Sequence, residues 1–245
     1  MKQISTLTRT LAIGVVLPAI LACTGDDEVQ AASSPAAASP SAAAASAPPA
    51  DLFPMPQPDL DKLAPAVRLQ IRERQLWQHR IDQSPESTIE NRASAMGELG
   101  NLYHAYGFAA EAEICYRNAE RLDPKNFLWP YYLCQVFGRT NKMDAAVEAC
   151  RRAAELDEAN VPVRVRLAEL LAFRNLPDEA RPVFEKAIAR DDKTAAAHFG
   201  LAQLAVSRGD AAAAAKGFEK VLELQPDATA VHVLAAQAYR DLGDS

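Results

Sequence analysis

The chain has 245 residues and a mass of 26.5 kDa, enough for one domain with tails and too little for two large domains. Lys and Arg total 26 against 32 Asp and Glu, a formal charge of −6, so there is no basic excess to neutralise nucleic-acid phosphates and no nucleic-acid partner is expected. Abundant Ala with only 7% aromatic residues argues against β-architecture and for helices.

Lys2 and Arg9 precede an apolar run from Leu11 to Ala22, LAIGVVLPAILA, which ends at Cys23. This is the layout of a secretory leader. A run of about 12 residues makes roughly 18 Å of helix, too short for a hydrocarbon core of about 30 Å. The stretch Ile20-Leu21-Ala22-Cys23 resembles the lipobox of bacterial lipoproteins, with an aliphatic residue, a small residue at the cut and the cysteine that takes the lipid. The resemblance implies a signal peptide at 1–22 and a mature chain that begins at lipidated Cys23. Several acyl chains there would make a stable membrane anchor. Cleavage removes Lys2 and Arg9 and no acid, taking the formal charge from −6 to −8. Thr24, where an Asp would resemble an inner-membrane retention signal, directs the expectation to the periplasmic face of the outer membrane. Ordinary leader cleavage would instead give a soluble periplasmic protein.

All twenty residues from Ala31 to Ala50 are Ala, Ser or Pro. They offer no large apolar groups to offset the entropy of ordering, so 23–58 is expected to be the lipidated cysteine followed by a disordered tether. As a flexible coil, 24–58 would span roughly 30–35 Å. Over 59–92, Val67, Ile71 and Leu76 with interspersed charges predict an amphipathic capping helix from Pro65 to about Gln83, Pro65 being tolerated in its first turn.

A 34-residue period then takes over. Gly100, Cys134, Ala168, Ala202 and Ala236 recur in step, preceded by Leu99, Leu133, Leu167, Leu201 and Ala235. Twelve residues after the first four stand Ala112, Ala146, Ala180 and Ala214, followed at four residues by Tyr116, Cys150, Phe184 and Phe218. Gly107, Asn141, Asn175, Gly209 and Gly243 separate the halves and tolerate the left-handed conformation that ends a helix. Each unit therefore reads as helix, tight turn, helix. Pro182 falls inside a second-type helix, where it removes one backbone hydrogen bond.

This small–large alternation, as in GELGNLYHAYGFAAEAEICYRNAERLDP, resembles the tetratricopeptide repeat family. The resemblance implies an all-α, right-handed superhelical solenoid with repeats at 93–126, 127–160, 161–194 and 195–228 and a partial fifth at 229–245. The final helix, VHVLAAQAYRDLG, is apolar on more than one side; either something covers it or the array belongs to a longer one.

No Walker loop, Gly-x-Ser-x-Gly elbow, His-Glu-x-x-His or Cys-x-x-Cys occurs, so no enzyme and no cofactor are expected. His198 and His232, 34 apart, could in principle form a metal pair, but core packing is the simpler reading. Beyond Cys23, three cysteines remain. Folding about the junction near Lys125 would pair Cys115 with Cys134; the alternative is three buried free thiols.

By family analogy, first-type helices line a concave groove for partner peptides. Counting around them places Asn101, Gln135, Glu169, Gln203 and Gln237 on that face, with Gly97, Tyr131, Val165, Phe199 and Val233 one turn away. Amides can donate to and accept from an extended peptide backbone. Among these, Tyr131, Val165 and Phe199 would supply apolar anchoring. The expected function is a non-catalytic adaptor or assembly factor for protein partners of the cell envelope. The combination of leader, lipobox and repeats also resembles the pilotin lipoproteins of type IV pilus secretins, and a regulatory module of an envelope enzyme or redox system is a further alternative.

Overall fold

The computed structural model describes residues 52–243. The expected signal peptide at 1–22, the expected lipidation site Cys23 and most of the expected tether lie outside them. Ten helices and no strands occur among the described residues. They are α1 Pro65–Gln83, α2 Ile89–Ala105, α3 Ala109–Leu122, α4 Leu128–Arg139, α5 Met143–Leu156, α6 Val161–Phe173, α7 Pro177–Arg190, α8 Ala195–Ser207, α9 Ala211–Leu224 and α10 Thr229–Leu242. None is long and apolar enough to cross a membrane.

Each helix packs on the next in sequence, and the tightest pairs are α2 with α3, α4 with α5, α6 with α7 and α8 with α9. The turns within these pairs pass through Gly107, Asn141, Asn175 and Gly209, with φ of 85°, 59°, 57° and 73°. Asn is among the few side chains that tolerate this region, which explains why it alternates here with Gly. Thr88, Asn160 and Asp210 cap α2, α6 and α9 by accepting the backbone N–H three residues on. α7 runs through Pro182, which is exposed to solvent.

The repeat register is a packing register. Ala112, Ala146, Ala180 and Ala214 have no exposed surface, and neither does Ala119, Ala153 or Ala187. Small residues allow close helix approach, and aromatic groups fill the space beside them. A Cβ on Gly100 would come 2.7 Å from the Tyr116 ring, one on Gly97 2.1 Å from Trp129, and one on Gly200 2.2 Å from Phe184. Ala146→Leu should therefore overfill the α4/α5 contact and cost roughly 1–3 kcal/mol, measurable by chemical denaturation; an unchanged midpoint would contradict the register.

The cysteines correct the expected pairing. The disulfide joins Cys134 on α4 to Cys150 on α5, with Cα atoms 5.2 Å apart, and Cys115 is a free buried thiol. The bridged residues occupy the same two places in their repeat as Gly100 and Tyr116 do in theirs, so they already face one another across the helix pair. A bridge from Cys115 to Cys134 would instead cross a repeat junction. Burial pushes the Cys115 thiol up to about 12, which keeps it protonated and unreactive.

The N-terminal side also departs from expectation. The tether was expected to run to 58, but residues 52–60 dock against the repeats: Phe53 hydrogen-bonds Asn118, and Leu60 is buried in the main core. α1 then closes this end by burying Ile71. Gln75 Nε2 donates to the Tyr103 hydroxyl at 2.8 Å, and the Tyr106 hydroxyl donates to Gln70 Oε1 at 2.7 Å. At the other end α10 buries Val231, Ala235 and Ala238 while Val233, Leu234 and Leu242 stay exposed.

Candidate partner-binding groove

The first-type helices α2, α4, α6, α8 and α10 form one row. α6 touches α8 directly, as helices on the inside of a curved stack do. Trp129 of α4 lies over Gly97 of α2, and Arg166 of α6 reaches to Gly138 of α4, where an added Cβ would come 2.9 Å from its guanidinium.

The predicted amide row is distributed unevenly. Asn101 is exposed and its Oδ1 accepts from the Tyr116 hydroxyl at 2.8 Å, so its acceptor is already engaged. Gln135 is half-buried, while Gln203 and Gln237 are exposed. Glu169 is exposed and pairs with Arg166 at 3.3 Å.

The neighbouring apolar row is corrected more strongly. Val165 is 7% exposed and belongs to the core, not to a binding face. Phe199 is half-buried with its ring 5.9 Å from that of Phe218, so it too spends much of its surface on packing. Tyr131 is half-buried beside Tyr132, and burial holds its phenol above the usual range against the opposing pull of Arg166. Val233, on the last helix, is exposed.

The exposed anchors lie one turn in the other direction. Phe173 is 55% exposed and Val206 53% exposed. Phe173 follows Glu169 by four residues and Val206 follows Gln203 by three, so each shares a helix face with its amide-row partner. A turn-by-turn count from Glu169 and Gln203 toward the helix ends reaches both positions. The first-type helices thus carry a half-buried Tyr131 near the start of α4, the Arg166–Glu169 pair with exposed Phe173 on α6, and exposed Gln203 with Val206 on α8. A phenol, an ion pair, an amide and two apolar side chains can anchor a peptide segment with one or two apolar residues and fix its backbone.

The histidine pair serves the backbone. His198 Nε2 lies 2.9 Å from the Asp192 carbonyl and His232 Nε2 2.9 Å from the Pro226 carbonyl, each bridging to the junction six residues upstream. Neither histidine is core packing: His198 is half-buried and His232 exposed. Among the described residues, no group of three or more His, Cys, Asp and Glu could hold a metal ion.

A tetratricopeptide repeat model matches residues 165–229. No curated protein is matched by the sequence. Among solved structures, a MamA protein is 19% identical with a TM-score of 0.59, covering 62% of this chain and 83% of its own. YrrB, described as a TPR protein with an unusual peptide-binding site, is 23% identical with a TM-score of 0.56, over 71% of this chain and 88% of its own. PilF of Pseudomonas aeruginosa is 22% identical with a TM-score of 0.56, over 62% of this chain and 69% of its own. At these identities the likeness concerns the fold alone. The 34-residue register, the paired helices with their left-handed turns and these matches together give the described residues the fold of a tetratricopeptide-repeat solenoid, with the family model itself matched over 165–229.

Proposed function

We propose that the protein is a lipid-anchored, non-catalytic adaptor or assembly factor of the bacterial envelope that holds a partner's peptide segment against its first-type helices. The observation that carries this reading is the pair of exposed apolar side chains on the first-type helices, Phe173 and Val206, which expose over half their surface beside Glu169 and Gln203. A structural relative described by its peptide-binding site supports peptide capture. The Cys134–Cys150 bridge supports an oxidising compartment such as the periplasm, in agreement with the leader and Cys23. A pilotin-like role in secretin assembly is the narrower alternative, and the identity of the captured partner separates the two.

The test compares the parent with Phe173→Asp/Val206→Asp by crosslinking and purification from the native cells. Both side chains are exposed, so the variant should keep its helical circular dichroism, whereas Phe199→Asp would damage the packing against Phe218. Envelope partners captured by the parent should be lost from the variant, and a secretin among them would select the pilotin-like role. An unchanged partner set would remove the groove from the function. In the same cells Cys23→Ser should shift the protein from the membrane to the soluble fraction, and persistent membrane sedimentation would overturn the anchor.

A further inference from the structure

Away from the groove, Asn118 of α3 is polar, has no exposed surface and is fully engaged by a segment 65 residues earlier. Its Oδ1 accepts the Phe53 backbone N–H at 2.8 Å and its Nδ2 donates to the Phe53 carbonyl at 2.9 Å. One side-chain amide thus holds both backbone groups of a single residue, as a neighbouring strand would, without reading that residue's side chain. Such a buried amide would be costly without its partners.

The surroundings extend the recognition. The Arg121 guanidinium lies 3.9 Å from the centre of the Phe53 ring. Leu52 and Met55 pack on a cluster built from Ala93 and Met96 of α2, Ala119 and Leu122 of α3 and Trp129 of α4. The Met55 sulfur is also 3.7 Å from Asn118 Nδ2. The cleft lies at the edge of the stack where α2 and α4 begin and α3 ends.

The docked segment has the composition of a ligand. In Phe53-Pro54-Met55-Pro56-Gln57-Pro58, proline recurs at every second position. A residue before proline is confined to extended conformations, and proline itself has a fixed φ, so the segment is extended before it docks. Little backbone entropy is lost on binding, and each proline lacks only an N–H that the cleft does not use.

We propose that this cleft is a peptide-binding site for extended, proline-spaced segments of the form apolar–aromatic–Pro–Met, occupied in cis by Leu52–Leu60. The strap is exchangeable for a peptide of the same chemistry. This inference does not depend on lipidation or on the groove.

The test uses the full chain and a fluorescein-labelled synthetic peptide of residues 50–60, ADLFPMPQPDL. In the parent the tethered strap competes at an effective concentration of about millimolar, so the peptide should bind poorly. Phe53→Ala/Met55→Ala removes the cis side chains but leaves the cleft, and should bind the peptide at least tenfold more tightly by fluorescence anisotropy. Adding Asn118→Leu should abolish that gain. In hydrogen exchange, the Phe53 amide of the parent should be protected and that of Asn118→Leu at least tenfold faster, with α3 and α4 unchanged. If neither parent nor strap variant binds the peptide, the segment is permanent packing and the proposal fails; if both bind equally, cis occupancy fails. Should Asn118→Leu not fold, the comparison of the parent with the strap variant decides alone.

Discussion

Removing the Cys134–Cys150 bridge should destabilise the protein markedly. The cysteines are 16 residues apart, and closing a loop of that length is worth about 3 kcal/mol in the chain-entropy account, on the order of 5–10 °C in melting temperature for a domain of this size. Packing adds to the loss. At the position of Cys150 the other repeats carry Tyr116, Phe184 and Phe218, each fully buried or nearly so. Repeat 2 has no aromatic plug there, and the covalent bond between its helices takes the plug's place. Cys134→Ala/Cys150→Ala should therefore melt well below the parent, and reductant should lower the parent toward it. Cys134→Ala/Cys150→Phe reproduces the Ala168/Phe184 and Ala202/Phe218 pairs; it should recover part of the loss and become indifferent to reductant. A parent whose melting temperature ignores reductant under conditions that release two thiols would show that the bridge contributes nothing.

The same pair shows what the sequence could and could not disclose. The helices, their order and even the left-handed Asn141 and Asn175 follow from the 34-residue period, because each signal is local: a small residue, a turn residue and an aromatic at fixed offsets. α1 was equally legible from its own amphipathic spacing. The Cys134–Cys150 bridge follows the offset of 16 residues that pairs Gly100 with Tyr116 in repeat 1, whereas a fold about the Lys125 junction favours Cys115 and Cys134. Val165 and Phe199 share their register with Tyr131, yet their burial depends on how far each neighbouring helix reaches over them, which periodicity does not encode. Least legible was the Phe53–Asn118 contact. Asn118 reads as one more polar residue on a surface helix, and Phe53 as the end of a low-complexity stretch. Only the fold brings together partners separated by 65 residues.

Phe184→Ala should cut the solenoid in two functional halves. Phe184 belongs to α7 but its ring lies against Gly200 of α8, in the next repeat, with 1% of its surface exposed. Truncating such a ring costs about 3–5 kcal/mol through lost burial and the cavity left behind. In a stack where each repeat contacts only its neighbours, that loss falls on one interface. The core is already divided near this place: most buried residues of α2 to α7 form one cluster, while Ala202, Phe218, Val221 and Val231 belong to another. Hydrogen exchange should accordingly accelerate through α8, α9 and α10 while α2 to α5 keep the protection of the parent. Gly200→Ala attacks the same contact from the other side, since its Cβ would come 2.2 Å from the Phe184 ring. Because both substitutions act on one contact, Phe184→Leu/Gly200→Ala should cost less than its two single changes added, a coupling of the kind expected for touching residues. Equal acceleration in every helix would mean that the repeats unfold as one unit and that no weak interface exists between α7 and α8.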